Sequence, residues 1–349
     1  MKKLHEFKAS RDERVEALEM ELKDKDSILS GYRKEHGKLE LFFERVIKNI
    51  KPIKPSKIEY KPIERKGTSN VIPVIQFTDW HVGEVQLPDE IEDFNAYNYD
   101  IAKSRTKDVT RRFIDWVNLH RNVYNINTGQ VFVTGDMISG DIHDELKATN
   151  EFPSPVQVVK AAELLAERIY EMSDHFGVLK VDFISEDNHA RLTRKPQAKE
   201  AGFNTFNYLV GKMTEAYLAQ ITNVDFNIWP MLEKVVNVNG MRYLIGHGHS
   251  VRGWMGVPWY GIERKIGKES QARLQVIMSE KEKMDLIGFD KYCIGHFHTP
   301  FDSELYCCGG SLSGTSAYDH QAGRYSRPSQ SAWMVHEIHK EFNRINFKV

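Results

Sequence analysis

Cysteine is scarce in this chain, with three residues in 349: Cys293, Cys307 and Cys308. So few, so close together, exclude the disulfide framework of a small secreted domain. Cys307 and Cys308 are adjacent and cannot form a CxxC clamp. Buried strand positions are the simpler reading of both, with soft metal ligation as the alternative. The compartment expected on that basis is reducing and cytoplasmic. Net charge is scarce too, since 48 basic residues face 49 acidic ones for a formal charge of −1. No global field therefore points to nucleic acid or to a membrane surface. No apolar run reaches bilayer-spanning length. The opening MKKLHEFKASRDERVEALEM is basic but lacks the apolar centre of a secretory signal. Internal repeats and low-complexity tracts are also lacking.

What is present begins with a charged helix within residues 1–50. A 3-4 spacing runs through Val15, Leu18, Leu22, Lys25, Leu29, Tyr32, His36, Leu39, Phe43, Val46 and Ile50. This is a heptad seam with polar interruptions at Lys25 and His36. Gly31 and Gly37 each weaken it by about 1 kcal/mol. The seam fits a coiled coil joining the chain into a homodimer or higher oligomer, or an amphipathic helix packed on its own domain. Residues 51–70 hold three prolines and several lysines and read as an extended linker. From Val71 to residue 349, strand-like and helix-like segments alternate, with helices expected at Tyr99–His120, Ser154–Phe176, Thr205–Gln220 and Ser270–Met284. The pattern is an α/β catalytic domain.

Five short segments each close an apolar run and end in residue types that bind metals. They are Asp79-Trp80-His81 after VIPVIQFT, Gly135-Asp136 after VFVT, Asn188-His189 after VDFIS, Gly246-His247-Gly248-His249 after MRYLI, and Gly295-His296-Phe297-His298 after KYCI. Strand ends of an open sheet are where ligand sites form. On an extended segment, Asp79 and His81 would share a face, as would His296 and His298. Asp136 follows a glycine that permits a sharp turn, and its two oxygens suit a bridge between cations about 3.5–4 Å apart. Asn188 adds a neutral oxygen and His247 an imidazole. Mixed oxygen and nitrogen donors suit Mn²⁺, Fe or Zn²⁺ better than Mg²⁺ alone.

These motifs, in this order, resemble the calcineurin-like metallophosphoesterase superfamily, whose pattern is D-x-H, GD, GNH(D/E), a histidine commonly in HG(H), and GHxH. The resemblance spans residues 71–320, and the combination is specific. It implies a sandwich of two β-sheets flanked by helices, with a dinuclear site at one rim. It implies Asp79, His81, Asp136 and His298 at one metal, and Asp136, Asn188, His247 and His296 at the other. It also implies a hydroxide between the metals as nucleophile and His189 as proton donor to the leaving oxygen. The Gly309-Gly310-Ser311 turn is similar to the family's glycine-serine turn. Two departures concern His189. The third motif reads Asp187-Asn188-His189-Ala190, without the usual glycine and acid. Ser139 stands where many phosphatases of the family place an orienting Asp, which leaves Asp141 or Asp187 as substitutes.

Substrate choice falls to the neighbouring loops. Arg191, Arg194 and Lys195 follow His189 and form either a phosphate clamp or a solvated charge run. Ser250–Lys268 interleaves Trp254, Trp259 and Tyr260 with Arg252, Arg264, Lys265 and Lys268, a composition suited to unpaired nucleotides or to ordinary packing. In motif style the chain is nearest to SbcD-type DNA-repair exonucleases. The expected activity is a metal-dependent phosphodiesterase, a nuclease or end-processing enzyme on nucleic acid. The alternatives are a phosphatase or small-molecule phosphodiesterase with the same site, and a non-catalytic coiled-coil scaffold.

Overall fold

The structure, a computed structural model, describes residues 69–349 apart from 143, 253–255 and 322, together with 51–54 and, before them, residues 20, 23, 25, 30, 37, 41, 42 and 44–50. The chain divides into two units, residues 1–50 and 51–349. In the first unit the heptad positions Val15, Leu18, Leu22, Leu29, Tyr32, His36, Leu39 and Phe43 lie outside the described residues, as does most of the linker, residues 55–68. Glu44–Lys48 is helical.

The second unit is built on two sheets. The first runs in the order β11-β10-β1-β2-β3-β4. Its strands are β1 (Val71–Phe77), β2 (Thr128–Val133), β3 (Val178–Ile184), β4 (Val224–Trp229), β10 (Ser329–His336) and β11 (Lys340–Lys348). The second runs β5-β6-β7-β9-β8, from β5 (Glu233–Val238), β6 (Met241–Gly246), β7 (Lys291–Ile294), β8 (Phe301–Asp302) and β9 (Tyr306–Cys308). β1 to β4 are mutually parallel, and β10 joins β1 antiparallel. Parallel neighbours require crossovers, supplied here by α1 (Tyr99–His120), α3 (Ser154–Ser173) and α4 (Phe206–Tyr217). A short α2 (Asp144–Thr149) lies in the polar loop after β2.

Each long helix starts where a side chain satisfies the first turn or a proline removes a donor. Asn98 Oδ1 accepts from Ile101 N at 2.9 Å before α1, and Thr205 caps α4. Pro153 and Pro155 bracket the start of α3. β1 and β2 are buried along nearly their whole length because both faces are covered. Between the sheets sit Val74, Phe132, Ile184, Tyr243, Ile245, Cys293, Cys307 and Trp333. On the far face of the second sheet, α5 (Trp259–Ser279) brings Ile262 onto Leu244, Tyr292, Ile294 and Tyr306. The result is a two-sheet α/β sandwich flanked by helices, the fold the motif resemblance implies.

The helix expected at Ser270–Met284 is displaced. α5 begins at Trp259, behind Pro258, and the chain breaks at Glu280 before the short α6 (Met284–Ile287). Proline needs no N–H partner at a helix start, so the aromatic segment read as loop is the helix's first turn. Lys265 on it is ion-paired to Glu233 at 3.2 Å and Glu269 at 3.0 Å. The three cysteines are buried strand residues, as expected. No described helix is long and apolar enough to cross a membrane.

Trp333 is the keystone of the inter-sheet core. It is fully buried, its indole donates to Tyr243 Oη at 3.0 Å, and the Arg344 guanidinium lies 3.9 Å over its ring. Trp333→Ala is expected to cost about 3–5 kcal/mol in chemical denaturation. Tyr243→Phe, which leaves the packing but removes the hydroxyl's hydrogen bonds with Trp333 Nε1 and Glu341 Oε2, is expected to cost about 1–3 kcal/mol.

Candidate metal centre

The two sheets bring the five motif segments to one rim. Asp79 and His81 follow β1, Asp136 follows β2, Asn188 and His189 follow β3, His247 follows β6, and His296 and His298 follow β7. Five of these residues adopt left-handed backbone: Asp79 (φ 52°), His81 (47°), Asp136 (49°), His296 (69°) and His298 (58°). Asp79 with His81, and His296 with His298, therefore converge through left-handed residues separated by one position and not through the extended alternation expected from the sequence. Such backbone is costly for a side-chain-bearing residue and persists where surroundings enforce it. Here Asp79 N donates to Gly135 O at 3.1 Å and His81 N to Asp136 O at 3.0 Å. Asp136 N donates to Asp187 Oδ2 at 2.9 Å, and His296 N to the Asp79 carboxylate at 3.0 Å. Ser311, in the glycine-serine turn, donates from Oγ to Asp79 O at 3.2 Å. Gly295 is required by crowding, since a Cβ there would press on Thr78 Oγ1 and on Asp79 Oδ2.

Two groups of donor atoms adjoin. In one, His81 Nε2 is 3.1 Å from His298 Nε2, and Asp79 Oδ1 lies 3.5 Å from His298 Nε2. In the other, His247 Nε2 is 2.9 Å from Asp136 Oδ2 and 3.0 Å from Asn188 Oδ1, with His296 completing the group. Asp136 Oδ2 is also 3.9 Å from His81 Nε2, so its carboxylate stands between the two groups. The seven residues proposed as ligands from the sequence are thus brought together.

The donor set fits divalent cations on its own chemistry. His247 Nδ1 donates to Thr134 O at 2.8 Å, and His298 Nδ1 to Asp319 Oδ2 at 2.9 Å. Each bond turns Nε2 toward the cluster, as second-layer partners of metal-bound histidines do. Asn188 Oδ1 carries no proton, and lone pairs this close repel unless a proton or a cation lies among them. Protons do so in the metal-free protein. Burial pushes His247 down, but Asp136, Asp79 and Asp187 outweigh it and hold the imidazole at about 10. Burial likewise opposes protonation of His298, and Asp319, Asp79 and Glu84 raise it to about 9. His81 and His296 are held well below the usual imidazole range by burial and by neighbouring histidines.

His189 belongs to neither of these two groups but joins His81 and Asp136 in a third, with donor atoms within 4.8 Å of one another and its ring 4.6 Å from that of His81. Its Nδ1 donates to the backbone carbonyl of Ser139 at 2.7 Å, and its backbone N to Asp136 Oδ1 at 3.2 Å. The orienting group is therefore a carbonyl and not the Asp141 or Asp187 carboxylate suggested by the sequence. Asp187 instead accepts from Asp136 N and Ala190 N, which shapes the turn that its missing glycine put in doubt. Gly140 is explained at the same point, because a Cβ there would collide with the His189 carbonyl.

Three acids went unnoticed in the sequence. Asp319 backs His298 and is itself held by Ser316 Oγ at 3.0 Å and Arg324 at 3.1 Å. Glu84, raised to about 7 by burial, lies 4.0 Å from His81 Nδ1, an atom with no hydrogen-bond partner. Glu186 lies 4.0 Å from His249 Nε2. None sits in a motif-like spacing, so only the fold reveals them.

The substrate residues are placed less uniformly. Arg191 donates to the carbonyls of Asn188 at 2.7 Å, Thr193 at 3.1 Å and Arg194 at 3.3 Å, which braces its own loop. Arg194 is 85% exposed and 3.7 Å from an exposed Asp144, a pairing of little energetic weight. Arg252 is exposed, and Trp254 lies outside the described residues. Trp259 packs against Phe301 with ring centres 4.7 Å apart.

No family model matches the chain. No curated protein matches it either. Among solved structures it is similar to a conserved uncharacterized protein of Streptococcus pneumoniae described as a predicted phosphoesterase, at 11% identity and TM-score 0.28, over 80% of this chain and 98% of that one. It is similar to Vps29 of Entamoeba histolytica complexed with Zn²⁺, at 12% identity and TM-score 0.27, over 79% and 99%.

Because neighbouring carboxylates raise His247 and His298 and so favour their protonated forms at neutral pH, a cation bound here would have to displace a proton from each Nε2. Calorimetric titration in buffers of different ionisation enthalpy is expected to report about two protons released per loaded centre. Affinity is expected to weaken as pH falls from about 10, where His247 gains its proton, and further through about 9, where His298 gains its own. Heats identical in every buffer would show that these atoms carry no displaceable proton.

Proposed function

We propose that this chain is a metal-dependent phosphodiesterase acting on nucleic acid, a nuclease or end-processing enzyme. The observation that carries it is the pair of adjoining donor groups sharing Asp136, with His189 held just outside them. Asp79, His81, Asp136 and His298 would hold one divalent cation, and Asp136, Asn188, His247 and His296 a second. Mn²⁺ suits the mixed donors, with Fe, Zn²⁺ or Mg²⁺ as alternatives. Bound there, such ions supply an activated water and neutralise charge on a phosphoryl group.

The chain's own residues do the rest. His189 commits its Nδ1 proton to the Ser139 carbonyl, so Nε2 is the atom that hands a proton to the leaving oxygen. Exposed Arg194, Lys195 and Lys199 follow His189 in the chain, and exposed cations close to a phosphoryl site would favour a polyanionic strand. SbcD-type exonucleases are the nearest match in motif style, which places DNA repair among the roles this reading favours. The heptad seam supports a homodimer, placing two such centres in one particle.

With Mn²⁺, the protein is expected to cleave single- or double-stranded DNA and bis-p-nitrophenyl phosphate. Asp136→Ala is expected to abolish turnover and metal retention together. His189→Ala is expected to retain metal and lose about 10²–10⁴-fold in kcat. Intact DNA beside rapid cleavage of the p-nitrophenyl monoester would assign the site to a phosphatase. Less than one metal per chain, with no activity after Mn²⁺ addition, would leave a scaffold. Light scattering is expected to give a dimer for the native chain and a monomer for Leu18→Glu combined with Leu22→Glu.

A further inference from the structure

A cleft of about 200 Å³ opens beside the Asn188 and His296 end of the centre. Besides those two ligands it is lined by Glu186, Arg191, Pro196, Gln197, Asn204 and His249, none of which the metal centre uses. His249 Nδ1 is buried without a partner in the protein, and Nε2 is 4.0 Å from Glu186. A buried polar atom left unpaired costs about 1–3 kcal/mol, so this one calls for a partner from outside. Arg191 has three N–H groups committed to loop carbonyls, which fixes the plane of its guanidinium. A guanidinium held in one plane is a stacking surface as well as a charge.

The cleft is smaller than the roughly 300–1,000 Å³ of sites for drug-sized ligands. It therefore takes one ring system and not a whole nucleotide. A phosphate would meet the carboxylates of Glu186 and Asp187 and be repelled. An aliphatic group would leave Glu186 and His249 without hydrogen bonds. A flat heterocycle with N–H and carbonyl edges satisfies a carboxylate acceptor and two amides at once, and presents a face to Arg191. Because the cleft shares Asn188 and His296 with the centre, a group seated in it is attached next to the phosphate being cleaved.

We propose that this cleft receives one nucleobase of the diester substrate, stacked on Arg191 and read along its edge by Glu186, Gln197 and Asn204. The proposal rests on the phosphodiesterase reading above. It makes the centre selective for nucleotide diesters over simple aryl diesters.

The test compares thymidine 5′-monophosphate p-nitrophenyl ester with bis-p-nitrophenyl phosphate on the Mn²⁺-loaded full chain. The native protein is expected to favour the thymidine ester about tenfold or more in kcat/KM, the scale of one stacked base. Glu186→Gln and Asn204→Ala are expected to bring that ratio toward one while bound metal per chain is unchanged. A ratio near one in the native protein, or one untouched by both substitutions, overturns the base cleft and leaves the diesterase intact. Failure to turn over either diester overturns the diesterase reading. In that event calorimetry with thymidine 5′-monophosphate against inorganic phosphate decides the cleft. Tighter binding of the nucleotide, weakened by both substitutions, supports it, and equal binding of the two removes it.

Discussion

Crowding of electron-pair donors at the Asp136 carboxylate is the constraint on which the rest of the site depends. One of its oxygens stands 2.9 Å from His247 Nε2 and 3.9 Å from His81 Nε2, and Asn188 presses its own oxygen on the same His247 nitrogen at 3.0 Å. All this is buried, where unshielded like-signed partial charges are most costly. Protons on His247 and His298 relieve the repulsion in the metal-free protein, and divalent cations would relieve it more completely. The fold tolerates so unfavourable a cluster because two sheets, each rigid and packed through Trp333, Phe132 and Tyr243, fix the strand ends that carry it.

That rigidity is also visible in the backbone. Five ligand residues lie in the left-handed region, at a cost of order 1–3 kcal/mol each. Each strained turn is cross-braced by another motif. Asp79 is held from Gly135 and Ser311, His81 from Asp136, Asp136 from Asp187, and His296 from Asp79. The motifs are therefore one mutually supporting set, and loss of one carboxylate disturbs backbone as well as ligation.

How much of this was legible in the sequence depends on what kind of atom does the work. The residues whose side chains would ligate were visible, because Asp, Asn and His at strand ends are unusual core residues and their order resembles that of a family. The two-sheet architecture followed from the same resemblance. The extended alternation inferred for Asp79 and His81 failed, since residue spacing does not distinguish a strand from paired left-handed turns. The Ser139 carbonyl that orients His189 was invisible for a simpler reason, because every residue has a carbonyl. Asp319 was missed because it reaches His298 from a short helical turn, α7 (Ala317–Gln321), with no motif around it. The start of α5 was missed because Trp259 and Tyr260 at a helix's first turn look like loop aromatics until Pro258 is given its role.

The imidazoles differ in what stands behind them, and this gives the two halves of the centre different characters. His298 is backed by a carboxylate, Asp319, whereas His247 and His189 are backed by the carbonyls of Thr134 and Ser139. A carboxylate behind Nδ1 raises the basicity of Nε2 more than a neutral carbonyl does. The Asp79 half, with two carboxylates, concentrates negative charge. The Asn188 half has a neutral oxygen in the corresponding place. A cation would be held more firmly in the first half than in the second. The second half is also the one that opens onto the polar cleft, so a neutral amide oxygen, and not a carboxylate, stands on the side where the proposed base would sit.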